Sequence, residues 1–416
     1  MVIALSLAYT LSLTDRMILS LMVGPIRHDL QISDTQFGLL HGFAFALFYS
    51  AAGYPIGALV DRKSRTLMIG AGVGLWSLMT ALSGLARSYG ELFLARMLVG
   101  VGEAVLTPAA VSMLADLFPP QKLARATGIF NAGAMLGSGL AFLFGGLIIN
   151  LVVGGDMLHV PLLGEVRPWQ AVFFIVGLPG LLLSFIFLIM SDAPRQVCDT
   201  PAAASAAVWS LRTQVYALYG IFLGAGCFNL VIFANLGWFP EMLIRVRGFD
   251  QWSSGATMAV ATGIFGLMGF VTGGLLSDRL FAQGRRSAPL ALGLASGIAS
   301  GPFALMALLS TSPLLIAVGL SGYFFFGLMY TAPVLAAIQF VTPSHMRGRV
   351  ASLYMLFLTI TGTGMGPVLV GLIGDHLLPA RQSVNQALLV ITVTVIPAGA
   401  FFFWLGRRGF VNGIRI

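Results

Sequence analysis

Apolar runs long enough to cross a membrane follow one another along nearly the whole chain, with short polar connections between them. Twelve such runs can be counted, at roughly 2–23, 37–59, 67–86, 92–114, 125–150, 169–190, 214–237, 254–276, 288–310, 314–340, 350–374 and 385–406. An α-helix needs about 20 apolar residues to span the hydrocarbon core of a bilayer. No water is available there to satisfy an open backbone, so a spanning segment must be a helix or a strand of a closed barrel. The runs are rich in Leu, Ala, Phe and Gly and lack the alternation of a membrane barrel. The expected fold is therefore an all-α membrane protein with twelve transmembrane helices.

Composition agrees with that reading. Only 9% of the 416 residues are charged and 57% are hydrophobic, whereas about a quarter of a soluble domain is charged. The net charge of +8 could suggest nucleic acid. The basic residues, however, stand in ones to threes between apolar runs and form no stripe, so no nucleic-acid partner is expected. Two cysteines, Cys198 and Cys227, provide neither a disulfide framework nor metal-ligand spacing. No Walker motif is present, which argues against an ATP-driven pump. No metal and no cofactor are expected. The run that follows Met1 has no basic segment before it and no small-residue cleavage site after it, and reads as a retained first span.

Orientation follows from Lys and Arg. With the N-terminus inside, the inner connections and tail hold fifteen of them and the outer connections six, a positive-inside bias. Both termini are expected in the cytoplasm and the chain in the cell inner membrane, as a monomer surrounded by lipid. The segment 191–213, rich in Pro, Ala and Ser, reads as a linker. It divides a six-helix half, 1–190, from a second half, 214–416.

The halves resemble each other. Gly57-Ala-Leu-Val-Asp61-Arg62 after span 2 matches Gly274-Leu-Leu-Ser-Asp278-Arg279 after span 8. Pro119 and Arg125 before span 5 match Pro343 and Arg349 before span 11, and both spans carry glycine runs, Gly133/Gly137/Gly139 and Gly362/Gly364/Gly366. Parallel duplication of this kind occurs in secondary transporters. The loop GALVDRKSR at 57–65, Arg96-x3-Gly100-x-Gly102 opening span 4 and the glycines of span 5 together resemble the major facilitator superfamily. The resemblance departs at Ser64, where the family usually has Gly. It implies two pseudo-symmetric six-helix bundles. Asp15-Arg16-Met17, the Arg96–Ala104 stretch, Ala115-Asp116-Leu117-Phe118 and Gly137-Ser-Gly139-Leu further resemble the Spinster branch, whose eukaryotic members move lysolipids and sphingosine phosphate. The family also implies a cytoplasmic gate at Gly57, Asp61, Arg62, Arg65, Arg125, Asp278 and Arg279, with Asp61 capping or pairing with neighbouring helices, Arg125 among them. Solvated, orienting charge explains the basic members of that set equally well.

Four ionisable residues fall inside spans: Asp15, Arg16, Arg96 and Glu103. A charge at mid-bilayer costs at least about 2.5–3.5 kcal/mol, so such groups pair, face water or titrate. At about 1.5 Å per residue Asp15 lies roughly 20 Å from the inner end of span 1. Arg96 lies roughly 6–8 Å from the outer end of span 4, at similar depth, so these two form a plausible pair. Glu103 is two turns further along the same face. Desolvation favours its protonated form and a nearby guanidinium its ionised form, and a group held between them can exchange protons. Asp15 and Glu103 are the expected proton carriers, with Arg96 as the switchable counter-ion. Arg16 points about 100° away from Asp15 around the helix and is expected on an anionic headgroup or a neighbouring helix. A structural ion pair locking spans 1 and 4 is the plainer alternative. His41 is either a proton entry group or an incidental interfacial residue.

Spans of the second half carry Asn229, Phe233, Tyr323, Tyr330 and Thr359 in place of charges. Packing explains each singly. Together they suggest an apolar wall for an amphipathic substrate whose headgroup sits near Arg16, Arg96 and Glu103. The leading expectation is a proton-coupled secondary transporter of a lysolipid- or sphingolipid-like molecule working by alternating access. A carrier of small organic anions or drugs is the alternative within transport. An integral-membrane enzyme would need a nucleophile, a metal site or paired catalytic carboxylates at the surface, and none is found. A channel suits the duplicated gate motif less well than a carrier does.

Overall fold

In a computed structural model, described over residues 1–60, 62–153, 158–160, 164–192, 194, 211–285, 287–342, 346–378 and 383–413, twelve helices are long and apolar enough to cross a membrane. They are helix 1 (Val2–Leu21), helix 2 (Asp34–Val60), helix 3 (Arg65–Ser83), helix 4 (Tyr89–Leu117), helix 5 (Arg125–Ile149) and helix 6 (Pro168–Ile189). Helix 7 (Tyr216–Arg245), helix 8 (Gln251–Ala282), helix 9 (Ala288–Leu309), helix 10 (Pro313–Val341), helix 11 (Arg349–Leu377) and helix 12 (Ser383–Arg407) follow. The stretch 191–213, expected as a linker, lies largely outside the described residues. A two-stranded antiparallel hairpin, Leu158–Val160 with Gly164–Val166, connects helices 5 and 6.

Helix starts follow local chemistry. Ser33 and Gln36 form a reciprocal capping box before helix 2. Ser64 and Ser88 accept from the amides of Leu67 and Glu91 at the starts of helices 3 and 4. Each serine satisfies a donor that the first helical turn leaves free. Proline opens helices 6 and 10, where its missing N–H costs nothing.

Helix 4 is interrupted after Glu103 and resumes at Leu106. Helix 10 is interrupted after Met329 and resumes at Thr331. Pro108 and Pro333 explain both, because a proline removes the bond to the carbonyl four residues earlier, here that of Ala104 and of Met329. The duplication is thus visible in backbone breaks, and one of them places Glu103 at the end of a helical segment.

By contacts the chain forms two compact units. The first comprises 1–197 with 236–259 and 367–382, so it includes one end of helices 7, 8 and 11. In it, helix 1 lies on helix 5 through a ladder of hydroxyls. Ser6, Thr10 and Thr14 donate to the carbonyls of Ile129, Gly133 and Gly137 at 3.1, 3.0 and 3.2 Å. Backbones this close require glycine: a Cβ on Gly133 would lie 2.5 Å from the Ser6 carbonyl oxygen. Small residues and interhelical hydroxyl bonds are the usual means of helix association where lipid provides no hydrophobic drive. Gly133→Leu is therefore expected to lower stability by about 1–3 kcal/mol through overpacking, read as earlier thermal unfolding of the detergent-purified protein; unchanged melting would show that the contact is not tight.

The second unit comprises 198–235, 260–366 and 383–416. Here helix 11 lies on helix 7 through the equivalent glycine run, since a Cβ on Gly366 would meet the Ala234 amide at 2.8 Å and the Leu230 carbonyl at 2.9 Å. Helices 5 and 11, which carry matching glycines, use them against helices 1 and 7.

Candidate functional site

The charged cluster of unit 1 lies between helices 1 and 4. Arg96 donates from Nη1 to both carboxylate oxygens of Asp15, at 3.2 and 3.0 Å. Arg16 donates from Nε and Nη2 to Oε2 of Glu103, at 2.8 and 2.5 Å, and Ser12 donates to the same oxygen at 2.6 Å. Asp15, Arg96 and Glu103 are buried. The Arg16 side chain retains 16% exposure, which makes it the member of the cluster that a ligand can reach. Its guanidinium carbon stands 4.0 Å from the Phe45 ring centroid and 5.5 Å from that of Tyr49, a cation–π arrangement on helix 2.

One expectation changes here and one is resolved. Arg96 is the counter-ion of Asp15 and not of Glu103, and Arg16 takes the second of its two expected places, holding the neighbouring helix 4 through Glu103. The direction of helical side chains explains both. A Cα–Cβ bond tilts toward the N-terminus of its helix. Arg96 therefore leans away from Glu103, seven residues onward, toward the level of Asp15. Arg16 leans back toward the level of Ser12, where Glu103 lies. Glu103 Oε2 receives every donor given to that carboxylate. Oε1 is buried and has no hydrogen-bond partner among the described residues, so it is the oxygen open to a proton.

A second cluster, which the sequence reading missed, occupies the end of unit 1 where helix 1 turns into helix 2. Asp34, buried at the first turn of helix 2, pairs with Arg27 at 2.9 Å and with Arg245 of helix 7 at 2.9 Å. Arg245 also pairs with Glu241 at 2.8 Å, and Glu241 Oε2 accepts from the Gly24 amide at 3.2 Å. Beside it the amide and hydroxyl of Thr35 donate to Asp375 of helix 11 at 2.7 and 2.6 Å. A carboxylate at a helix N-terminus is favoured by the free amides there.

The Major Facilitator Superfamily profile matches residues 5–367. The chain belongs to this superfamily. An MFS-type efflux pump of Mycolicibacterium smegmatis (strain ATCC 700084 / mc(2)155) is 28% identical over 99% of this chain and 94% of its own length. The hexuronate transporter of Bacillus subtilis (strain 168) is 26% identical over 90% and 87%. Protein spinster homolog 1 of Xenopus tropicalis is 26% identical over 94% and 77%. Among solved structures, a bacterial homologue of the human lysosomal transporter Spinster, in an inward-facing and unoccupied conformation, is similar at TM-score 0.85 and 25% identity. That match covers 100% of this chain and 98% of the other. This major facilitator is accordingly a multi-pass membrane secondary transporter and not an enzyme, with the twelve-helix fold read from its sequence.

The remaining predicted residues of this major facilitator divide by unit. In unit 2, Asn229 donates to the Leu358 carbonyl at 2.8 Å. Leu358 precedes a π-helical segment, Thr359–Gly364, and such a bulge leaves a carbonyl without its regular partner, which the asparagine supplies. Phe233 packs beside Gly362. Thr359 bonds back to Met355 at 2.9 Å. Tyr323 and Tyr330 are buried. The Tyr323 hydroxyl accepts from Asn235 at 2.9 Å and that of Tyr330 donates to Ala225 at 3.5 Å. Tyr323 and Tyr330 thus lie in the interior of unit 2, Tyr323 at the edge of a small cavity with Phe228 and Ile232, while Asn229, Phe233 and Thr359 are half-buried.

Of the predicted gate, Arg65 is buried and paired with Asp116 and, at 3.3 Å, with Asp192, while its Nη1 donates to Ser112 at 3.1 Å. Gly57 is partly buried, and Arg62, Arg125, Asp278 and Arg279 are exposed. Asp61 lies outside the described residues. The partner Asp116 stood in the sequence within Ala115-Asp116-Leu117-Phe118, where its charge at the end of span 4 was the available signal.

Proposed function

We propose that this transporter is proton-coupled and moves an amphipathic, lysolipid- or sphingolipid-like molecule across the cell inner membrane by alternating access, with both termini in the cytoplasm. The observation that carries the proposal is the pair of buried ion pairs joining helices 1 and 4, Asp15–Arg96 and Arg16–Glu103. Buried pairs are poor devices for stability alone, since desolvation offsets most of their attraction. They serve well as switches, because one proton on either acid releases an arginine. Arg16, partly exposed and flanked by Phe45 and Tyr49, offers a cation beside apolar rings to an anionic headgroup with a tail. The likeness to Spinster proteins in sequence and structure favours the same substrate class.

Small organic anions are the second reading. The hexuronate transporter and the probable galactarate/D-glucarate transporter of Escherichia coli (strain K12), 25% identical over 95% of this chain and 90% of its own length, are named for sugar acids. Arg16 would bind their carboxylates equally well. Competition in proteoliposomes decides: sugar acids that displace a fluorescent lysophospholipid would favour the second reading.

The coupling is tested with Glu103→Gln, which keeps the shape and removes the titration. Uptake of the fluorescent lysophospholipid is expected to lose its stimulation by an imposed pH gradient by about tenfold or more, equivalent to about 1.4 kcal/mol. Undiminished stimulation in the variant would remove Glu103 from coupling.

A further inference from the structure

His41 is absorbed by neither cluster, yet it stands between helix 4 and the ends of helices 7 and 11 that belong to unit 1. It lies in a π-helical segment, Leu39–Phe43, a local form frequent at functional positions in helices. Its side chain is buried, at 9% exposure.

Its neighbours follow from register. A Cβ on Gly100 of helix 4 would meet the Phe45 carbonyl of helix 2 at 2.7 Å and the Tyr49 amide at 3.3 Å. Helices 2 and 4 are separated by one intervening span and run the same way. Four residues earlier on each brings His41 of helix 2 level with Arg96 of helix 4. Arg96 is accordingly the charged group whose field reaches the imidazole.

The ring's orientation is set on its other side. A Cβ on Gly237 would be 3.4 Å from both Cδ2 and Nε2 of His41 and 3.4 Å from Cγ of Pro367. Phe37 stacks on the ring at 6.0 Å between centroids. In a five-membered ring the vertex opposite the Cδ2–Nε2 edge is Nδ1, so Nδ1 points away from Gly237 and back into unit 1. Nδ1 has no hydrogen-bond partner among the described residues, and neither has Nε of Arg96. Both are buried, and a buried polar group without a partner is costly. One is a donor. The other, in a neutral imidazole protonated at Nε2, is an acceptor.

We propose that His41 is the alternative acceptor for Arg96, taking the guanidinium when a proton on Asp15 releases it, and so transmits that event to helices 7 and 11 at Gly237 and Pro367. The role is a positioning one, and it rests on the proton-coupling reading above. A proton that neutralises Asp15 leaves Arg96 as a buried cation; the imidazole nitrogen lessens that cost. Without it, release of Arg96 demands a higher proton concentration.

The test uses the full chain in proteoliposomes and the pH profile of gradient-driven uptake of the fluorescent lysophospholipid. His41→Leu is expected to move the midpoint of that profile toward acid by about one pH unit, a tenfold change in proton demand. His41→Gln, whose side-chain oxygen is again an acceptor, is expected to restore the profile. A shape change alone would affect both variants alike. An unchanged midpoint in His41→Leu, or a glutamine variant that follows the leucine one, overturns the inference. A wild-type protein with no pH response would instead overturn the coupling reading on which the inference rests, so the two failures are distinguishable.

Discussion

Replacing Arg96 by methionine is expected to destabilise the protein by about 3–5 kcal/mol, the usual effect of leaving one member of a buried ion pair alone. Asp15 and Arg96 are both almost fully enclosed, at 2% and 1% exposure. Both carboxylate oxygens of Asp15 accept from Arg96, so the variant strands a carboxylate in the low-dielectric interior. Asp15→Leu in the same chain is expected to recover most of the loss, because an apolar replacement of a whole pair is often neutral or stabilising. Thermal unfolding of the detergent-purified single and double variants measures both effects. An Arg96→Met protein as stable as wild type would show that the Asp15–Arg96 pair contributes nothing to holding helices 1 and 4 together, and the switch proposed above would lose its first element.

The Asp15–Arg96 pair was legible because depth in a membrane can be counted: both residues sit within uninterrupted α-helical segments, Val2–Ile18 and Tyr89–Glu103, whose rise per residue is fixed. The Arg16–Glu103 pair was not, because counting Cα positions ignores the lean of a long side chain by several ångströms toward its helix N-terminus. The interruptions of helices 4 and 10 could have been read, since Pro108 and Pro333 stand four residues after the broken carbonyls. The π segments at Leu39–Phe43, Val260–Gly266 and Thr359–Gly364 leave little trace in hydrophobic periodicity, because one extra residue in an apolar run changes no composition. Their consequences are large all the same. One carries His41, and another is held by Asn229, whose amide donates to the Leu358 carbonyl just before it.

The Asp34 cluster was hidden for a different reason. Asp34 fell just before the apolar run counted from residue 37, and Arg27 and Arg245 were read as charges of the outer connections. Their meeting spans 211 positions of chain, a separation that no local pattern reveals. Helix 2 in fact begins at Asp34, since the Ser33–Gln36 capping box starts the helix before its apolar stretch does.

Asp34→Asn should therefore loosen the segments 236–259 and 367–382 from the start of helix 2. Two arginines share this carboxylate, and neither is fully buried, with side chains 27% and 23% exposed. Solvent relieves part of the loss, so about 1–3 kcal/mol is expected, the range for a hydrogen bond to a charged group. Arg245 retains Glu241, whereas the ion pair of Arg27 is with Asp34. A neighbouring tie, Thr35 to Asp375, sits one residue away and is expected to be weakened with it. Amide hydrogen exchange of the full-length protein in lipid nanodiscs reads the effect directly. Amides of 241–247 and 371–378 should exchange about ten- to a hundredfold faster in the variant, given about 1.4 kcal/mol per tenfold, while those of the helix 1–helix 5 ladder stay at the wild-type rate. Combining Asp34→Asn with Arg27→Gln removes the orphaned charge and should return part of the protection. Equal exchange in the single variant and wild type would mean that backbone packing, so close that a Cβ on Gly38 would lie 2.6 Å from the Pro367 carbonyl oxygen, holds these segments without the charges.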